Sequence, residues 1–240
     1  MDAFERTNAL YWVGESVLSD EFPPLADALA EPDGLLAIGG NLSPERLVDA
    51  YRRGIFPWFS EGQPILWWSP AERSVIKPAE LHISRSLRKV LRQQRFDVSW
   101  DCDFCGVIDG CAAPRESQSG TWITAEMRAA YCELFRRGVA HSIECRVGGE
   151  LVGGMYGLAI GRAFFGESMF SHIDNASKVA MATLCAQLVQ WNYDFLDCQI
   201  HNPHLERMGA RLWSRQRFEQ RLHTAVAAAP APESWAPRCD

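Results

Sequence analysis

The pattern of apolar and polar positions divides the chain into two parts. Up to about residue 70 the apolar residues come in short bursts broken by Pro, Gly and Trp, as in Phe22-Pro23-Pro24, Gly39-Gly40, Phe56-Pro57-Trp58-Phe59 and Trp67-Trp68-Ser69-Pro70. One helix stands out there: Ser43 and Pro44 suit a cap and first turn, Leu47, Ala50 and Tyr51 share a face, and Gly54 ends it. From about residue 72 the periodicity is regular. Residues 75–81 read as a strand, Ser84 caps a helix to about Gln94, and 96–100 alternate as a strand. Thr124 caps a helix carrying Met127, Tyr131, Leu134 and Phe135, closed by Gly138. Residues 141–147, 150–160 and 162–170 predict an antiparallel meander with Gly148-Gly149 and Gly161 at its turns. Asn175 then starts a long helix to about Trp191, 194–200 form a further strand, and helical stretches follow near 204–208 and 214–222. An Ala/Pro-rich tail from about Ala225 is expected to be poorly ordered. The class is α+β, with a small N-terminal domain over 1–72, a second domain over 73–224 and the tail over 225–240.

Composition narrows this picture. With 240 residues, 47% of them hydrophobic and 22% charged, the chain can bury a core without disulfides or metal. A net charge of −6 argues against bulk electrostatic binding of nucleic acid, so any RNA must be held by a local patch. No apolar run approaches the ~18 residues of a membrane span. The start carries Asp2, Glu5, Glu15 and Asp20 instead of a secretory leader, and the expected location is the cytoplasm. Eight cysteines fit a reducing compartment. Cys102 and Cys105 form C-x-x-C without a second pair at zinc spacing, and Asp101, Asp103 and Phe104 do not look like a redox turn before a helix. Cys132, Cys185 and Cys198 read as small buried hydrophobes. No metal is expected.

Four features could carry chemistry. In 84–95, Arg85, Arg88, Lys89, Arg92 and Arg95 gather on one helix side, opposite Leu87, Val90 and Leu91, with no acid among them, as a phosphate track would require. Trp58, Phe59, Trp67, Trp68 and Trp122 include loop aromatics able to stack on an unpaired base. Gly153-Gly154-Met155-Tyr156-Gly157 and Phe164-Phe165-Gly166-Glu167-Ser168-Met169-Phe170 suggest a ligand approaching backbone beside a Met- and Phe-lined slot. Glu167, flanked by apolar residues, must face solvent or meet a cation. In Phe195-Leu-Asp197-Cys198-Gln199-Ile-His201-Asn202-Pro203, strand alternation sets Asp197 and Gln199 on one face, where an acid and an amide can orient an amine. The same residues could instead cap the next helix through Asn202. P-loop, dinucleotide and nucleophile-elbow motifs are missing; His201 and His204 near Asp197 support a metal site only weakly.

Several ordered stretches together resemble the bacterial leucyl/phenylalanyl-tRNA–protein transferases. They are Glu31-Pro-Asp-Gly-Leu-Leu-Ala-Ile-Gly-Gly-Asn-Leu-Ser, Tyr51-Arg-Arg-Gly-Ile-Phe-Pro-Trp-Phe-Ser, Pro64-Ile-Leu-Trp-Trp-Ser-Pro, Leu81-His-Ile-Ser-Arg-Ser, Gly120-Thr-Trp-Ile-Thr, Leu151-Val-Gly-Gly-Met-Tyr-Gly, Gly166-Glu-Ser-Met-Phe-Ser, Asn175-Ala-Ser-Lys and Asp197-Cys-Gln. The resemblance implies that the second domain has a fold like the GCN5-related N-acetyltransferases. It implies transfer of Leu, Phe or Met from aminoacyl-tRNA to the α-amino group of proteins beginning with Arg or Lys, which marks them for N-degron degradation, with no cofactor. By motif it assigns Asp197 and Gln199 as the catalytic pair and Glu167 to the acceptor end. Met155, Phe164, Gly166 and Met169 become walls of the aminoacyl pocket, and Trp58 and Trp122 hold the terminal adenosine. Asn202 lies close by, and Arg85, Lys89 and Arg92 match the tRNA track. The sequence departs from the family in a longer stretch around 114–119 and in Gln93 and Gln94, where a basic residue is common.

The chemistry agrees with that assignment. Aminolysis of an activated ester runs downhill and needs alignment more than a strong base, because an α-amino group has a pKa near 7.7–8.0. Asp197 is therefore expected to act by holding Gln199 and the amine. An acetyl-CoA enzyme on the same sheet is disfavoured: residues 171–178 carry an acid and no glycine where that class turns around pyrophosphate. A purely RNA-binding module leaves Glu167, Asp197 and Gln199 without a role.

Overall fold

The structure, a computed structural model, describes residues 10–15, 22–114, 122–229, 235, 236 and 239. In the N-terminal part β1 (Tyr11–Val13) lies parallel to β2 (Leu35–Gly39). The α1 helix (Pro44–Arg52) forms as read: the Ser43 hydroxyl accepts the Arg46 N–H, Pro44 sits in the first turn, and Leu47, Ala50 and Tyr51 are buried. With β3 (Phe56–Pro57) and β4 (Leu66–Trp68) the strands form a four-stranded sheet in the order β1-β2-β4-β3.

A seven-stranded sheet follows. Its first strand, β5 (Glu72–Ile76), stops short of the expected Leu81 because Pro78 opens a 3-10 turn and has no N–H for a ladder. Ser84 caps α2 (Arg85–Gln93), which leads to β6 (Asp97–Trp100). Next comes α3 (Phe104–Ala112), a helix the patterning did not predict. Gly106 and Gly110 each cost a helix about 1 kcal/mol. The Asp103 carboxylate caps it by accepting the Gly106 N–H at 2.9 Å, and Phe104, Val107, Ile108 and Cys111 are buried. At about 1.5–3 kcal/mol for each large apolar side chain, burial outweighs propensity. Gly110 is needed for this packing, since a Cβ there would come within 2.6 Å of the Phe170 ring. The segment after Cys102 thus does turn into a helix, contrary to expectation.

The remainder runs α4 (Ala125–Arg136), β7 (Ala140–Val147), β8 (Glu150–Ile160), β9 (Ala163–Ser171), α5 (Ala176–Gln190), β10 (Phe195–Asp197), α6 (Pro203–Arg207), β11 (Arg211–Ser214) and α7 (Arg215–Ala227). Asn175 precedes α5 as expected, but at φ 74° and without a side-chain cap bond, so its tolerance of the left-handed region is what starts the helix. Strand order is β11-β5-β10-β9-β8-β7-β6, with β9/β10 parallel and the other pairs antiparallel. That is the expected α+β class with a mixed, mainly antiparallel sheet flanked by helices. One core, holding Tyr51, Trp67, Phe104, Tyr131, Phe165 and Phe218, joins the N-terminal part to one sheet face. A second, with Leu87, Met155, Phe164 and Leu184, lies under α2 and α5 on the other face.

At the C-terminus α7 continues past Ala225 to Ala227 and Trp235 packs against the second core, while most of the tail beyond residue 229 lies outside the described residues. Contrary to expectation, not all cysteines are free, for Cys102 is disulfide-bonded to Cys239, a partner 137 residues away that spacing could not reveal. Among the described residues no helix is long and apolar enough to cross a membrane.

Candidate active site

The site forms where two neighbouring strands part. β9 and β10 pair only from Ala163↔Phe195 to Phe165↔Asp197. Beyond that β9 stays with β8, while the chain after β10 follows β5: Cys198 N–H donates to the Ser74 carbonyl at 2.8 Å and Ser74 N–H to the Gln199 carbonyl at 3.0 Å. The opening between them is spanned by side chains. Glu167 reaches it because the β8/β9 register slips between Tyr156↔Ser168 and Gly157↔Gly166, which makes Glu167 the extra residue of a bulge. A bulge re-aims a side chain that strand alternation would have sent elsewhere.

On the face shared with the N-terminal part, the gap is polar. Gln199 Nε2 donates to Glu167 Oε1 at 3.2 Å, and the Tyr131 hydroxyl donates to Glu167 Oε2 at 2.9 Å. With its one hydrogen used in that way, Tyr131 must accept from the Tyr51 hydroxyl, 2.5 Å away. Burial pushes the Glu167 carboxyl up to about 7; the tyrosine hydroxyls and Arg73 pull it down, and Asp197 pushes it further up. Burial also drives Tyr51, Tyr131 and Tyr156 well above the usual phenol range, so all three stay protonated. Among the described residues the buried Tyr156 hydroxyl has no hydrogen-bond partner. Glu167 is thus half-buried, and among the described residues neutral donors, not a cation, hold its carboxylate.

Asp197 is treated differently. It is 0% exposed, and its two oxygens take the Arg73 guanidinium bidentately at 2.9 and 2.7 Å. Asp197 Oδ1 also accepts the Gln199 N–H at 3.0 Å, holding Gln199 at φ 57°, a left-handed conformation costing ~1–3 kcal/mol outside glycine. Arg73 is fixed in turn by the Gly54 carbonyl at 2.9 Å and by the Phe56 and Phe218 rings, 4.7 and 4.6 Å from Cζ. Asp197 therefore bonds the backbone of Gln199, while the amide of Gln199 is aimed at Glu167.

On the other face the gap is apolar. Met155 and Phe164 are buried and Met169, opposite Met155 in the ladder, is half-buried. Gly166 joins the two sides: a Cβ built on it would lie 3.8 Å from Met155 Cε and 3.6 Å from the Asp197 carbonyl oxygen. Trp122 packs on the first core, as does Trp68, against which the exposed Trp58 ring is tilted at 5.8 Å. Asn202 caps α6 by accepting the His204 N–H at 2.8 Å. On α2, Leu87 is buried and Arg85, Lys89 and Arg92 are exposed, with no carboxylate partner among the described residues. His201 bonds Glu206, while Asp197 is taken up by Arg73, so these residues do not gather as a metal site. The extra stretch at 115–119 and the start of the Gly120 motif lie outside the described residues.

Sequence reasoning missed Arg73, Tyr51 and Tyr131. Tyr51 and Tyr131 look like ordinary helix-face core, and their hydroxyls matter only once α1 and α4 face each other. Arg73 did carry a signal: it shares strand parity with the buried Val75 in a run otherwise apolar on that side.

Comparison with known proteins matches residues 75–223 to the family model described as leucyl/phenylalanyl-tRNA protein transferase, and residues 40–71 to the model for its N-terminal domain. A protein named leucyl/phenylalanyl-tRNA–protein transferase from Pseudomonas putida (strain W619) is 60% identical over 213 residues, 89% of this chain and 93% of its own length. Another of that name, from Azotobacter vinelandii (strain DJ / ATCC BAA-1303), is 61% identical over 201 residues, 84% and 89% of the two chains. Among solved structures, a GCN5-related N-acetyltransferase-like protein from Streptococcus suis is 13% identical, with TM-score 0.33 over 71% of this chain and 64% of its own. That likeness is loose, and the fold class rests on the strand order itself.

Proposed function

The chain belongs to the leucyl/phenylalanyl-tRNA–protein transferase family, and on that footing we propose that the β9/β10 gap is where an aminoacyl ester meets an acceptor amine. The enzyme moves Leu, Phe or Met from aminoacyl-tRNA to the α-amino group of proteins starting with Arg or Lys, in the cytoplasm, tagging them for N-degron degradation. The observation that carries this reading is the Gln199–Glu167 bridge at 3.2 Å across the gap, with Met155 beneath Gly166 on the apolar side.

In this scheme the side chain of the donated residue enters between Met155, Phe164 and Met169, and the ester carbonyl lies over Gly166. Trp58 and Trp122 hold the terminal adenosine, Asn202 lines the approach, and Arg85, Lys89 and Arg92 follow the tRNA backbone. The amine nitrogen attacks the carbonyl carbon; the C–N bond forms, the C–O bond to the ribose breaks, and the nitrogen loses a proton while the 3′-oxygen gains one. Glu167 takes the proton, since its carboxyl at about 7 is close to both the working pH and the ~7.7–8.0 of an α-amino group. Gln199 orients the amine through its amide oxygen while its NH2 steadies Glu167. Asp197, saturated by Arg73 and by the Gln199 N–H, is a positioning residue. Alignment supplies most of the acceleration, for which ~7–11 kcal/mol is available to well-oriented partners.

The test is incubation of the purified chain with radiolabelled Leu-tRNA and an Arg-initiated peptide. Labelled peptide is expected, in the absence of ATP and acetyl-CoA; binding of tRNA without any labelled peptide overturns the proposal.

A further inference from the structure

The C-terminal end of the chain returns to the apolar side of the gap. The Trp235 ring stacks on His141 of β7 with centroids 4.1 Å apart and planes at 14°, and on Phe164 of β9 at 5.3 Å and 24°. Trp191 is tilted against it at 4.9 Å, and the indole N–H donates to the Tyr193 hydroxyl at 2.8 Å. The next residue, Ala236, accepts the Trp100 indole N–H through its carbonyl at 3.1 Å. Cys239 is bonded to Cys102, at the rim of a groove that Leu91, Phe96, Val98 and Val179 also line. An aromatic seat, two hydrogen bonds and one covalent bond therefore fasten this end of the chain to the sheet.

Phe164 is 1% exposed and sits on Gly157, where an added Cβ would be only 2.6 Å from its ring. Its ring is thus held between a bare backbone position of β8 and the face of Trp235. We propose that Trp235 is a positioning residue for donor selection: it clamps Phe164 against Gly157 and so fixes the depth of the slot that receives the aminoacyl side chain, with Cys102–Cys239 as its tether. The inference rests on the assignment of Phe164 and Met155 to that slot. A close-packed ring pinned on both sides defines a pocket volume; freed on one side, it relaxes toward the space left behind, and the slot deepens. The larger Phe side chain then gains relative to Leu.

The experiment compares kcat/KM for Phe-tRNA and Leu-tRNA, with one Arg-initiated peptide, in the full chain and in Trp235→Ala, Trp235→Phe, Cys239→Ser and Met155→Ala. Trp235→Ala is expected to raise the Phe/Leu ratio ~10-fold, the scale of about one methylene in a pocket, with KM for the peptide unchanged. Trp235→Phe should restore most of the original ratio. Cys239→Ser should shift it the same way by less, as should dithiothreitol, which cleaves the disulfide to two thiols and is itself oxidised to a cyclic disulfide. An unchanged ratio in Trp235→Ala while Met155→Ala alters it overturns the role of Trp235, and equal loss of both rates does the same. An unchanged ratio in Met155→Ala as well means that the slot assignment has failed instead. If Trp235→Ala does not fold, Cys239→Ser decides: it keeps the indole, and an unaltered ratio then overturns the proposal.

Discussion

The two sides of the β9/β10 gap are built on opposite principles. On the N-terminal side Asp197 is held by directional bonds: Arg73 takes both oxygens, and Gly54, Phe56 and Phe218 take Arg73. On the α5 side Met155, Phe164 and Met169 meet through apolar packing. Directional bonds hold an amide within a fraction of an ångström of one place, as a reaction requires. Thioether and ring contacts yield by a few tenths of an ångström, as a pocket taking more than one side chain requires. On the proposed assignment of the site, the contrast lets a transferase be strict about geometry and lenient about its donor.

The comparison breaks most severely at Arg73. Arg73→Ala leaves a buried carboxylate unpaired, and urea denaturation should show a loss of ~3–5 kcal/mol, with transfer abolished; a stable, active variant would mean that Asp197 does not depend on its clamp. Glu167→Gln should lower kcat ~100-fold, the low end of general-base effects, with little loss of fold. Its pH behaviour separates the two carboxylates. The wild-type rate should rise through pH 7 as Glu167 loses its proton, and that limb should vanish in Glu167→Gln, leaving only the amine's own ionisation. For stability the sign is reversed: with a folded pKa of about 7 against 4.5 when exposed, the native state holds a proton that the unfolded chain has lost across that window. The Glu167 contribution therefore falls as pH rises from 4.5 to 7, and Glu167→Gln should flatten thermal denaturation midpoints there.

Smaller effects sharpen the apolar side. Met155→Ala should cut discrimination between Leu-tRNA and Ile-tRNA about tenfold, read as a ratio of kcat/KM, because a widened slot no longer clashes with a β-branched side chain. Smallest at the reacting centre is removal of Arg85, Lys89 and Arg92 together. The slope of log affinity for tRNA against log salt should flatten by roughly 0.7–0.9 per lost phosphate contact, while reaction with a minimal aminoacyl-adenosine donor stays nearly intact. An equal fall with both donors removes α2 from the tRNA path.

Much of the fold was legible because its signals are local. Ser43, Ser84 and Thr124 cap helices by accepting the N–H three residues on, and the meander's glycines stand at its turns. α3 was not legible, since its two glycines are favoured only by what packs on them. In the site, Asp197, Gln199 and Glu167 could be singled out as polar residues in apolar strands, yet their division of labour could not. The bulge that turns Glu167 toward Tyr131 is a property of the β8/β9 pairing, and the partners of each carboxyl come from as far off in sequence as the 124 residues between Arg73 and Asp197.

By itself the sequence determined which side chains exist and where local periodicity, caps and turns divide them, because those forces act within a few residues. Tertiary structure alone decided which carboxylate is clamped by a guanidinium and which is lifted toward neutrality, that strands β9 and β10 part beside Gly166, and that Trp235 seats on Phe164. Desolvation, ion pairing and close packing depend on distance in space, and distance along the chain carries almost none of that information.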